Sequence, residues 1–168
     1  MILLKFFLLP ISLLYGFVVW LRNKCFDWRF FKSQSFDVPL ISIGNISTGG
    51  TGKTPHVEYV IRLLNEFNSK AILSRGYGRK TKGFQSVFAD SKVNETGDEP
   101  LQYAQKFQDV YIAVHEDRVQ GVKKLTKEGV GLIVLDDAFQ HRWVQPGLNI
   151  LLTTYNNLYI DDFLLPVG

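Results

Sequence analysis

With 168 residues, 46% of them hydrophobic and 21% charged, the chain has the composition of one globular domain and not of a disordered or fibrous protein. The single cysteine, Cys25, leaves no partner for an internal disulfide and suits a reducing compartment. The net charge is +3, yet residues 1–36 alone carry +4 (Lys5, Arg22, Lys24, Arg29 and Lys32 against Asp27), which leaves −1 for the remainder; this argues against a nucleic-acid-binding face and for a membrane-facing N-terminus.

Residues 2–21 are apolar except for Lys5, Ser12 and Tyr15. Twenty helical residues reach roughly 30 Å, the thickness of a hydrocarbon core. No small-residue cleavage site comes after them, so the segment is expected to stay. The uncharged stretch 6–21 is short for a span, and the basic, aromatic continuation with Trp28, Phe30 and Phe31 suits the headgroup region, so spanning and interfacial placements both stand. In either, Arg22, Lys24, Arg29 and Lys32 put the rest of the chain on the cytoplasmic side. The competing reading is a core helix of a soluble protein. Residues 1–36 are taken as a membrane-associating helix with its juxtamembrane segment, and 37–168 as a second domain.

Within 37–168, the β-branched and apolar runs at 38–44, 70–74, 86–89, 110–114, 131–135 and 148–154 read as strands. Residues 53–67, 98–107 and 116–128 read as helices, the first because Val57, Val60, Ile61 and Leu64 recur at helical spacing. Strand alternating with helix predicts an α/β fold with a mainly parallel sheet covered by helices on both faces.

Between the first strand and the first of these helices lies Ser47-Thr48-Gly49-Gly50-Thr51-Gly52-Lys53-Thr54. Apart from Ser47 in place of the first glycine, it matches the phosphate-loop pattern of P-loop NTPases. Backbone N–H groups of such a loop face a β-phosphate, the helix dipole favours the anion, Lys53 reaches the β/γ oxygens and Thr54 supplies an oxygen to Mg²⁺. The stretch "GLIVLDDAFQHR" then ends an apolar strand in Asp136-Asp137, the layout of a Walker B strand, although two Asp at a strand end also suit a plain turn. ATP and Mg²⁺ are the expected cofactors.

Taken in order, "ISIGNISTGGTGKTP", "LSRGYGRK", "GDEP", "EDR" and "VLDDAFQHR" behind an apolar N-terminal helix closely resemble the tetraacyldisaccharide 4′-kinases, the lipid A 4′-kinases of Gram-negative bacteria. The resemblance runs the length of the chain. It implies transfer of the γ-phosphate of ATP to the 4′-hydroxyl of a disaccharide lipid held in the bacterial inner membrane, at its cytoplasmic face. It marks Asp98 as general base and Glu99 as a helper for Mg²⁺ or water; by position alone the pair would be an ordinary helix N-terminus, with Asp98 as its cap. It places Arg118 near the transferred phosphate, where otherwise it is one more surface arginine, and gives the basic loop with Arg75 and Arg79 to an acceptor that already carries a 1-phosphate. His141 is assigned to orienting Asp136 or the phosphates, although a lone histidine is more often structural. Two departures stand out: Ala138 replaces the family's usual glycine, and the family carries roughly as many residues again beyond "LLPVG", including a second lobe. Two alternatives remain: a partitioning-type ATPase, whose loop needs a lysine where this chain has Thr48, and a nucleotide-binding membrane module without catalysis.

Overall fold

The structure, a computed structural model, describes residues 2–46, 50–155 and 158. It divides into two units, residues 1–33 with 153–168 and residues 34–152.

In the first unit, α1 (Ile2–Asp27) runs through Pro10 without ending. Leu9, Ile11, Leu13, Leu14, Phe17, Val18, Trp20 and Leu21 are all exposed, so from residue 9 on its apolar residues are not gathered into a core. The helix closes in a turn in which Trp28 and Phe31 donate their N–H groups to the carbonyls of Lys24 and Cys25 at 2.8 and 3.1 Å. Phe26 packs edge-on to Phe31, and the Arg22 guanidinium lies over its ring at 5.6 Å. The helix is thus present, and of the two placements left open, spanning and interfacial, the spanning one is not supported: among the described residues no helix is long and apolar enough to cross a membrane.

The second unit is a six-stranded sheet of β1 (Leu40–Asn45), β2 (Lys70–Ser74), β3 (Gln85–Ser86), β4 (Tyr111–Val114), β5 (Leu132–Asp136) and β6 (Leu148–Leu152), in the order β3-β4-β2-β5-β1-β6. All pairs are parallel except β3 with β4. The exception falls on the run 86–89, which gives only a two-residue edge strand shifted by one position. Parallel neighbours need crossovers, and these are α2 (Lys53–Leu63), α4 (Asp98–Lys106) and α5 (Arg118–Lys127), with a short α3 (Val93–Thr96) that the periodicity did not announce.

Strand alternation sorts the core into two layers. Ala71, Leu73, Ala113, Ile133 and Leu135 point to one face and meet Val122 and Leu125 of α5. Ile72, Ile112, Val114, Leu132 and Val134 point to the other and meet Val57 and Ile61 of α2 and Tyr103 and Ala104 of α4. Helices therefore cover both faces, as expected for a buried parallel sheet. The helix predicted over 53–67 stops at Leu63, ahead of the polar stretch Asn65, Glu66, Asn68 and Ser69. Asp117 caps α5, its carboxylate accepting from the N–H groups of Val119 and Gln120 at 2.8 and 3.3 Å.

Candidate phosphoryl-transfer site

Adjacency of β1 and β5 builds the site. Ile43 pairs with Asp136, so the end of β1 and the acidic end of β5 lie side by side. Gly44 is held to glycine by close approach: a Cβ there would stand 2.8 Å from Phe139 Cβ and 2.9 Å from its backbone N. Removing that atom lets the segment after Asp137 fold back over β1.

Of the phosphate-loop residues, Ser47, Thr48 and Gly49 lie outside the described residues. Gly50 is exposed, Thr51 is half-buried, and Gly52 (φ 77°) takes the left-handed conformation at the cap of α2. Lys53 and Thr54 open the helix. The Lys53 ammonium donates to Asn45 Oδ1 at 3.0 Å and lies 3.5 Å from Asp137 Oδ1. Asn45 stands outside the phosphate-loop pattern and carried no expected role; its polar amide at the strand's end was the available signal.

The two aspartates differ. Asp136 is buried at 4% exposure, and burial pushes its carboxyl up to about 6, with Glu99 and Asp137 adding to the rise and Arg118 and Ser74 opposing it. Asp137 is exposed and has φ 50°, a conformation unusual for a non-glycine residue. The positive φ thus falls on Asp137 and not on Ala138, so alanine at the glycine position meets no backbone penalty.

The "GDEP" residues arrive from α4. Its cap is Gly97 (φ 92°), where a Cβ would press on the Tyr77 carbonyl at 3.1 Å; only glycine lets the start of α4 close on the loop after β2. Asp98 is the first residue of α4 and the cap is Gly97, which removes the reading of Asp98 as the helix cap; its side chain is exposed. It lines an open depression together with Tyr77, Gly78, Lys92, Asn94 and Gly97. Glu99 is half-buried, and burial, reinforced by Asp98 and Asp137, raises its carboxyl above the ordinary range against the pull of Lys53. These influences put Asp98, Glu99, Asp137 and Lys53 in one electrostatic neighbourhood.

Arg118 is not a surface arginine. It is 2% exposed, and its guanidinium donates to the carbonyls of His115 at 2.9 Å and Asp136 at 2.8 Å, bracing the ends of β4 and β5. Burial lowers its pKa to about 10, still leaving it cationic at neutral pH. Arg75 is exposed immediately after β2. Arg79, expected to face an acceptor, instead turns inward: it pairs with Glu116 and donates to the Gly83 carbonyl at 2.9 Å, while Glu116 accepts from the Gly83 N–H at 3.0 Å. It pins the basic loop, and burial of its side chain leaves Arg75 as the exposed member of the pair. His141 sits in the turn after Asp137, donating its N–H to the Ala138 carbonyl at 2.9 Å.

Among the described residues no three His, Cys, Asp or Glu side chains converge at metal-ligand spacing. Thr54, Asp136, Asp137 and Glu99 therefore do not form a closed cage, but their oxygens fit Mg²⁺, which takes one or two carboxylates and completes its shell with water and phosphate oxygens. Sequence reasoning missed the burial of Tyr103 and Glu58. The first reads as a core aromatic in an amphipathic pattern and the second as a surface charge, and nothing in their spacing distinguishes them.

A family model described as tetraacyldisaccharide-1-P 4′-kinase matches residues 4–168. A relative named tetraacyldisaccharide 4′-kinase from Phocaeicola vulgatus is 54% identical over 165 residues, which is 96% of this chain and 45% of the relative. One of the same name from Flavobacterium johnsoniae is 50% identical over 168 residues, 99% of this chain and 49% of its own length. A crystal structure described as the apo form of LpxK from Aquifex aeolicus in complex with ATP is similar with a TM-score of 0.88 at 40% identity, over 98% of this chain and 53% of that one. The chain thus spans about half the length of the relatives it matches.

Proposed function

The chain belongs to the tetraacyldisaccharide-1-phosphate 4′-kinase family, and on that premise we propose that it carries the ATP-binding and base-bearing part of a lipid kinase that phosphorylates the 4′-hydroxyl of a tetraacyldisaccharide 1-phosphate. The observation that carries the reading is the convergence of three separate elements: Lys53 and Thr54 at the head of α2, Asp136 and Asp137 at the end of β5, and Asp98 and Glu99 at the head of α4. The crystallised relative is a complex with ATP, which makes ATP the donor to test.

In this reading the phosphate loop from Ser47 to Thr54 holds the triphosphate, and Lys53 leaves Asn45 and Asp137 for the β/γ oxygens. Thr54, Asp136 and Asp137, with Glu99 beside them, would hold Mg²⁺, which when bound neutralises charge on the phosphates. Asp98 faces the open depression and accepts the proton of the sugar hydroxyl as the phosphoryl group arrives. Arg118 adds fixed positive charge behind Asp136, while Arg75 and, through the loop it pins, Arg79 serve the acceptor's 1-phosphate. His141 keeps the turn after the aspartates in register.

The membrane part belongs to α1. Its exposed apolar side chains and the Arg22, Lys24, Arg29 and Lys32 group suit a helix lying in the headgroup boundary of the inner membrane, on the cytoplasmic face where ATP is present. The partitioning-ATPase alternative falls with the family assignment.

The test is transfer of label from γ-labelled ATP to the lipid disaccharide, in a protein of the relatives' full length. Asp98→Asn should fold and bind ATP with Mg²⁺ as before while turnover falls by roughly 10²–10⁴. Since the cap of α4 is Gly97 and not Asp98, stability should be nearly unchanged. Near-normal turnover in Asp98→Asn would move the base elsewhere, and absence of label on the acceptor in the parent protein would leave a nucleotide-binding module without catalysis.

A further inference from the structure

Two residues of the "EDR" motif already have a place in the structure, Asp117 as the cap of α5 and Arg118 as the brace under the strand ends. Glu116 is the third. Its side chain is 45% exposed, yet both carboxylate oxygens are directed at the basic loop, accepting from the Gly83 N–H at 3.0 and 3.1 Å. Oε2 also pairs with Arg79, whose guanidinium donates to the Gly83 carbonyl at 2.9 Å, so the three residues close a ring. The Arg79 side chain is only 4% exposed, and its Nη1 is buried without a hydrogen-bond partner. A buried guanidinium needs a counter-charge, and among the described residues Glu116 is the carboxylate that pairs with it.

The inward side of Arg79 meets the start of α4. A Cβ on Gly76 would stand 2.7 Å from Arg79 Cδ and 2.7 Å from the Thr96 carbonyl, and one on Gly97 would stand 3.2 Å from Gly76 Cα. Arg79, Gly76 and Gly97 are therefore stacked without room for a methyl group, and Asp98 comes next in the chain. Beyond the stack, the Lys80 N–H donates to the Asn94 carbonyl at 2.8 Å. The loop so held contributes Tyr77 and Gly78 to the depression that Asp98 lines.

We propose that Glu116 is a positioning residue for the lipid acceptor: by holding Arg79 inward it fixes the loop wall beside Asp98 and leaves Arg75 as the exposed arginine for the acceptor's phosphate. This rests on the kinase reading above. Glu116 acts through the loop and not on the reacting atoms. The same short segment braces the Asp136 carbonyl through Arg118, so the acceptor wall and the acidic strand end are set from one stretch of chain.

The test is steady-state transfer from γ-labelled ATP in a protein of the relatives' full length, with KM for the lipid disaccharide and affinity for ATP measured separately. Glu116→Ala should raise the acceptor KM roughly tenfold or more, the scale of one hydrogen bond to a charged group, and leave ATP affinity unchanged. Arg79→Ala should match it, and the double variant should be no worse than either single one, because both changes break one clamp. Glu116→Gln keeps an oxygen for the Gly83 N–H but not the charge, so its acceptor KM should rise by less; it carries the test if the alanine variant does not fold. An acceptor KM equal to the parent's in Glu116→Gln, an equal loss of ATP affinity, or single effects that multiply in the double variant would each overturn the proposal and leave the kinase reading standing. A parent protein that labels no acceptor overturns the kinase reading and this proposal with it, before any variant is compared.

Discussion

Asp136 links the chemistry of the site to the stability of the fold. Its carboxyl has an ordinary pKa of 3.8 and is raised to about 6 in the folded protein. Between those values the folded state keeps a proton that the unfolded chain has released, so the contribution to stability is complete below about pH 4 and is lost as pH rises through about 6. The two values differ by about 2 units, which bounds the effect at about 3 kcal/mol. Glu99, also raised, adds a slope of the same sign. Urea unfolding in EDTA from pH 4 to 7 should show this decline, and Asp136→Asn should flatten most of it. Affinity for Mg²⁺ should move oppositely, rising across the same range as the carboxylate ionises. A parent and an Asn variant with the same pH slope would mean that the buried carboxyl is not the group that titrates.

Between elements, the critical contact joins α2 to α4, because one carries Lys53 and the other Asp98. It is made by Glu58, which is 6% exposed and accepts from Gln102 Nε2 at 2.7 Å and Lys106 Nζ at 2.6 Å, with Arg62 at 3.5 Å. Burial alone would raise its pKa, but the hydrogen bonds from Lys106 and Gln102 outweigh this and hold it below the ordinary value. Arg62 in turn lies over Phe107, 5.2 Å from the ring centre, which ties the far ends of the two helices. Glu58→Ala should cost about 1–3 kcal/mol in chemical denaturation, because it leaves donors from α4 without their acceptor. Glu58→Gln keeps one acceptor oxygen and should recover part of that loss. If Ala and Gln variants unfold at the same denaturant concentration as the parent, the two helices are held by apolar packing alone.

For the whole molecule, charge and hydrophobicity are separated along the chain: net +4 in residues 1–36 and −1 beyond them. The proposed consequence is a division of labour in which α1 and its basic turn find an anionic bilayer while the sheet binds nucleotide. Removing residues 1–24 should abolish sedimentation with vesicles of anionic phospholipid and leave ATP affinity unchanged. Raising the salt should weaken vesicle binding of the intact chain, since part of the attraction is screened. Equal sedimentation with and without residues 1–24 would reassign the membrane contact to the loop bearing Arg75, Lys80 and Lys82.

The phosphate loop, the acidic strand end and the order of strands and helices were legible because each is a local pattern. Gly-Lys-Thr must follow a strand and open a helix, and β5 had to be a buried strand from its unbroken apolar run. The "GDEP" motif entered through resemblance, and its spacing to the loop said nothing of distance in space. Only the tertiary structure decided what depends on residues far apart in the chain meeting. It turned Arg79 away from an acceptor and onto Glu116, 37 residues on, and put Arg118 under the strand ends. It placed the positive φ on Asp137 and spared Ala138. Burial makes these outcomes matter, since a charge or hydroxyl that water would satisfy must find a partner within the fold. That partner is set by strand order and helix packing, which a periodic pattern of apolar residues favours without naming the side chains that will touch.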